Sequence, residues 1–126
     1  MSEQEIFELV SNWRSEVRRG ALQLYLLSLI AKNQEMYGYE IVKELKQRTG
    51  YILDIKEGVL YPILRRLTKD ELLEGTWMTP TNGVSLTKPR KYYRLTKRGY
   101  HVLDEMAQYW SNLTHEMDLI LNVEDE

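Results

Sequence analysis

Lys88, Arg90 and Lys91 place three cations within four residues, and Tyr39 and Lys43 stand one turn apart on a predicted helix. Groups of these types bind phosphate. The cations neutralise it and a phenol donates to it, which gives affinity without sequence choice because phosphates carry no base information. Arg65 and Arg66 follow on successive helical faces, so at most one of them can share such a surface. The competing reading of the 88–91 cluster is a solvated sheet edge that resists strand pairing. Catalysis finds no comparable set. The chain has no cysteine, and its two histidines, His101 and His115, have no acidic partner pattern. No nucleophile–base pair, metal-ligand spacing or phosphate loop occurs, so neither an enzyme nor a metal nor a cofactor is expected.

The charge is unevenly spread. The 126 residues carry a formal net charge of −2, but residues 37–99 hold thirteen basic and seven acidic groups, whereas residues 100–126 hold seven acidic and no basic ones. A surface responds to local charge, so the middle of the chain favours a polyanionic partner despite the overall balance. The acidic, amphipathic N-terminus is unlike a secretory leader. The most apolar run, Ala21 to Ala31, is well short of the ~20 residues that cross a bilayer. A cytoplasmic protein without a membrane partner is the expectation, with length for one domain and an extended helical arm.

Hydrophobic period sets out the elements that must position these groups. Ile6, Leu9, Val10, Trp13 and Val17 mark a helix over about 4–18, Gly20 bends the chain, and a greasier helix follows over 21–32. "NQEMYG" reads as a connector. Ile41 and Leu45 carry a helix from Tyr37 to about Arg48, stopped by Thr49-Gly50. "KEGVLYPILRRLTKDELL" is the next helix, with Leu60, Leu64 and Leu67 as its apolar stripe. The period then changes to two: Leu73–Met78 and Lys91–Leu95 read as strands, joined through a turn at Asn82-Gly83. Thr96 caps a last helix to about Asn122. On it Leu103, Met106, Trp110, Leu113, Met117 and Ile120 repeat at heptad spacing. A rod of some 40 Å, from ~1.5 Å rise per residue, is too long to bury that stripe on so small a domain. A second copy of the chain is the expected partner for it. An intramolecular hairpin with residues 4–18 is the alternative.

Helix, helix, short connector, helix and two strands make the order of a winged helix-turn-helix, whose second paired helix reads the DNA major groove with its first turn. The fold class is thus mainly α (α+β). It divides into an N-terminal helix (1–19), a winged helix-turn-helix (20–96) and a C-terminal dimerisation helix (97–126). Gly58 and Pro62 open the front of the reading helix, where a proline near the start removes only an N–H that lacks a partner anyway. The positive end of the helix dipole there suits phosphate. Lys56, Glu57, Gly58 and Val59 are then within reach of DNA, and Tyr39, Lys43, Arg65, Lys88, Arg90 and Lys91 surround them. Of Tyr92 and Tyr93, alternating on one strand, one is expected inside and one outside.

"YGYEI" (37–41), "GVLYPILRRL" (58–67), "LL" (72–73), "RKYYRLT" (90–96) and Gly99 resemble the PadR transcriptional regulators. The resemblance implies cytoplasmic homodimers that bind double-stranded operator DNA, usually as repressors, some of them released by aromatic or drug-like effectors. It implies DNA contact by Tyr61, which as a bare residue reads equally as half-buried packing. It also places Trp110 beside a pore for planar ligands, which Trp13 could complete; filling the dimer interface is the other role open to Trp110. The last helix is similar to the shorter of the family's two size classes. This chain departs from the pattern at Lys56, where many relatives have a small polar residue, at Val59, where they have threonine, and in a longer wing. A winged-helix protein–protein module without DNA binding is the alternative function.

Overall fold

The structure, a computed structural model, describes residues 1–50, 52–53, 55–79 and 88–122. Helix α1 spans Glu3–Asn33, strand β1 Met36–Tyr37, α2 Gly38–Thr49, α3 Glu57–Lys69, β2 Leu73–Met78, β3 Arg90–Leu95 and α4 Lys97–Leu121. The Asn82-Gly83 turn of the wing lies outside the described residues.

Ser2 starts α1 with a capping box: its hydroxyl accepts from the Glu5 N–H at 3.1 Å and the Glu5 carboxylate reaches back to the Ser2 N–H. Gly20 does not divide the chain into two helices as expected. The helix runs unbroken for 31 residues, about 46 Å, because an isolated glycine costs only ~1 kcal/mol and strong helix formers flank it. The two halves differ in what they meet. Leu22, Leu26, Leu27, Leu29 and Ile30 are buried, whereas Ile6, Phe7, Leu9, Val10, Trp13 and Val17 stay exposed.

The core gathers that C-terminal half of α1 with Ile41, Val42 and Leu45 of α2, Leu60, Leu64 and Leu67 of α3, and Leu73, Tyr93 and Leu95 of the sheet. Left-handed Gly50 closes α2. Residues 36–37, expected in a connector, form a third strand instead. β1 pairs antiparallel with β3, Met36 opposite Tyr93 and Tyr37 opposite Tyr92, giving the order β1-β3-β2. β2 and β3 pair from Leu73 opposite Leu95 to Met78 opposite Arg90.

The start of α4 is tied to the entry of β2. Thr96 caps α4 by accepting from the Gly99 N–H at 2.9 Å, while its own N–H donates to the Leu72 carbonyl at 3.1 Å. A Cβ on Gly99 would overlap that same carbonyl, so only glycine lets α4 come this close to the β2 entry.

The α4 stripe is divided too. Leu103 and Met106 pack on the core, but Trp110 and Leu113 are each 40% exposed, Met117 48% and Ile120 68%. α1 and α4 share a groove of about 530 Å³ lined by Val17, Ala21, Leu24, Met106, Trp110 and Leu113. The intramolecular hairpin therefore leaves both outer stripes uncovered.

Candidate nucleic-acid interface

α3 shows two opposed sides. Leu60, Leu64 and Leu67 point into the core; Gly58, Pro62 and Arg65, spaced by four and three, lie opposite them and are exposed. Lys56 is the N-cap without a side-chain cap hydrogen bond, and among the described residues the Glu57 and Gly58 N–H groups have no partner, whereas the Val59 N–H donates to the Lys56 carbonyl at 2.9 Å. Pro62 lies deeper in the helix than its spacing suggests. With Glu57 as the first helical residue, Pro62 is the sixth and lies beyond the turn whose N–H groups have no partner. It leaves the Gly58 carbonyl without its helical donor, at an exposed position where solvent can take the donor's place. A Cβ at Gly58 would meet nothing within 4 Å, so the space in front of this turn is open.

Beside α3 the fold builds a cleft of about 600 Å³ between the helix pair and the sheet. Tyr39 of α2, Tyr61 and Arg65 of α3, and Arg90 and Lys91 of β3 all line it. Residues from positions 39 to 91 thus meet on one surface, because β3 pairs with β1 immediately before α2 starts. Tyr37, Gly38, Trp77 and Tyr93 complete the lining. Trp77, 67% exposed, is a residue for which the period-two pattern assigned no role.

Cations and rings are interleaved. The Arg90 guanidinium sits 4.6 Å over the Tyr37 ring, and the Lys91 ammonium 5.6 Å over Tyr93. Tyr37 and Tyr92 meet edge to face, with centroids 5.4 Å apart. Tyr93 is the inward member of the tyrosine pair and Tyr92 the half-buried one. Burial pushes the Tyr93 phenol above its ordinary pKa. Tyr61 acts in the same direction and Arg65 against it, so the Tyr93 hydroxyl stays a neutral donor.

The two arginines separate. Arg66 donates to the Gln23 side chain of α1 at 3.1 Å, and Arg65 is the one that faces the cleft. The remaining expected residues stand outside the cleft. Lys43, Glu57, Gly58 and Lys88 are exposed and do not line it. Lys56 and Val59 line a different cleft, on the α1 side of α3. Trp110 lines the α1–α4 groove, whereas Trp13, a turn before Val17, is 63% exposed and not part of it. Among the described residues no three potential ligands cluster for a metal, and no helix is long and apolar enough to cross a membrane.

A family model described as the transcriptional regulator PadR-like family matches residues 26–105. The chain is 32% identical over 102 residues to a transcriptional regulator of Mycobacterium tuberculosis, covering 81% of this chain and 87% of that one. Among solved structures, a PadR family transcriptional regulator from Eggerthella lenta superposes with a TM-score of 0.78 at 34% identity, over 94% of this chain and 96% of that chain. A PadR-like transcriptional regulator from Bacillus cereus gives 0.72 at 32% identity, over 84% and 96%. With the matched segment running from the core of α1 into α4, this chain belongs to the PadR-like family of transcriptional regulators.

Proposed function

We propose that the protein is a homodimer that binds operator DNA, with the cleft between α3 and the sheet astride one phosphate strand and the front of α3 in the major groove. The observation that carries this reading is the convergence of Tyr39, Tyr61, Arg65, Arg90 and Lys91 on one exposed surface beside an uncapped helix start. In this reading Gly58 and Pro62 keep the outer side of α3 slim enough to approach base edges. Lys56, Glu57 and Val59 flank the reading turn, and Lys43 and Lys88 extend the phosphate track on either side.

The exposed stripes of α1 and α4 supply the second half of the reading. Leu103, Met106, Trp110, Leu113, Met117 and Ile120 with the outer half of α1 would join two copies and set their α3 helices about one duplex turn apart, roughly 34 Å. The groove beside Trp110 is apolar and large enough for a planar aromatic effector. Because it lies in the seam that sets the spacing, an occupant there would bias the dimer away from its operator, as expected of a repressor.

The test is a gel shift on genomic fragments selected by the protein, repeated at two salt concentrations. Binding whose log–log salt slope is several units supports the reading. No binding at low salt refutes it in favour of a protein–protein module. Tryptophan fluorescence followed during titration with aromatic compounds tests the effector. Quenching without any change in operator affinity would refute that part.

A further inference from the structure

A second cleft lies on the other side of α3, against α1, and encloses about 330 Å³. Its floor is aliphatic, made by Leu22, Leu53, Ile55, Val59 and Ile63. Arg18, Arg19 and Lys56 stand on its wall, and no acidic or aromatic side chain is among the described residues that line it. The Arg18 Nε is buried with no hydrogen-bond partner among the described residues. A buried donor without an acceptor is a standing cost that an anionic oxygen would remove.

These features select a ligand chemistry. Three cations ask for an anionic head. The described floor is saturated and offers no ring to stack on, which favours an alkyl chain over a planar aromatic, for which the Trp110 groove is the better surface. The volume is at the small end of ligand sites, which limits the chain to medium length. We propose that this cleft binds a medium-chain aliphatic carboxylate, with its head on Arg18 and Lys56 and its chain over Val59 and Ile63. Lys56 is the N-cap of α3 and Val59 stands in its first turn. An occupant therefore takes up a cation offered to DNA and sets a carboxylate beside the phosphates, so ligand and operator oppose each other. That coupling rests on the DNA-binding reading above; the site itself does not.

Titration calorimetry of the full chain with decanoate, kept below its micelle-forming concentration, tests the site. Saturable binding is expected, with decanol and benzoate at least tenfold weaker. Arg18→Gln should weaken decanoate at least tenfold and Trp110→Ala by less than twofold. Arg18→Lys, which keeps the charge but lacks the Nε donor, should fall between wild type and Arg18→Gln. Absence of saturable binding, or loss in Trp110→Ala with Arg18→Gln unaffected, overturns the proposal.

Gel shifts with decanoate test the coupling. Operator affinity should drop about tenfold in the wild type. It should not change in Arg18→Gln, whose affinity without decanoate stays within twofold of wild type. Decanoate binding that leaves operator affinity unchanged overturns the coupling. No DNA binding under any condition refutes the DNA-binding reading and the competition with it, while Arg18-dependent decanoate binding would still establish the site.

Discussion

The ring of Tyr61 rests directly on Gly38: a Cβ built there would lie 2.6 Å from the Tyr61 Cε1 and 2.7 Å from its hydroxyl oxygen. Gly38 opens α2 and Tyr61 stands in the second turn of α3, so this contact sets how the two helices of the pair meet. Alanine at an unobstructed first helical position would be neutral or slightly stabilising. Gly38→Ala is expected instead to lower stability by ~1–2 kcal/mol and to displace Tyr61 from the cleft. Chemical denaturation and operator titration together check this. An unchanged midpoint with unchanged affinity would show that the ring moves aside without cost.

Arg65 and Arg66 are neighbours in sequence with different destinations, one facing the cleft and one held by Gln23. Arg65→Gln should weaken DNA binding and reduce the log–log salt slope by about one, as loss of one phosphate contact does. Arg66→Gln should leave the slope unchanged. Lys91→Gln is expected to behave like Arg65→Gln. Equal slopes for both arginine variants would count against the cleft as the phosphate track.

At the start of α4, backbone meets backbone. Gly99→Ala would drive a methyl group into the Leu72 carbonyl, which cannot rotate away as a side chain can. A loss of at least ~2 kcal/mol is expected, larger than the ~1 kcal/mol for Thr96→Ala, which removes the cap and the hydroxyl's donation to the Glu71 carbonyl but creates no overlap. Urea unfolding of the two variants ranks them, and the reverse order would contradict the close approach of α4.

Leu113 and Met117 are substantially exposed on a single chain. Replacing both with glutamate should therefore leave the winged-helix core folded while abolishing self-association. Sedimentation is expected to change from dimer to monomer, with helical circular dichroism retained. A double variant that still sediments as a dimer would place the interface elsewhere.

Much of this molecule is written in local pattern. The 3.6-residue period marks the helices, the switch to a period of two marks β2 and β3, Thr96 marks the α4 cap, and the heptad run foretells a stripe that one chain cannot cover. These features are legible because periodicity reports which side of an element is buried, and that is a property of neighbours in sequence. The composition likewise shows the middle of the chain to be basic. The tertiary structure alone decided the rest. Gly20 stays helical because nothing in the fold demands a break there. Met36 and Tyr37 become a strand only because β3 supplies partners from more than fifty residues away. Pro62 reads as tolerable from its nearness to a helix start, but where that helix begins is set by Lys56 adopting an extended conformation as its cap. Tyr61 on Gly38, Arg66 on Gln23, and the two clefts flanking α3 depend on where whole helices sit relative to one another, and no periodicity within one helix records that.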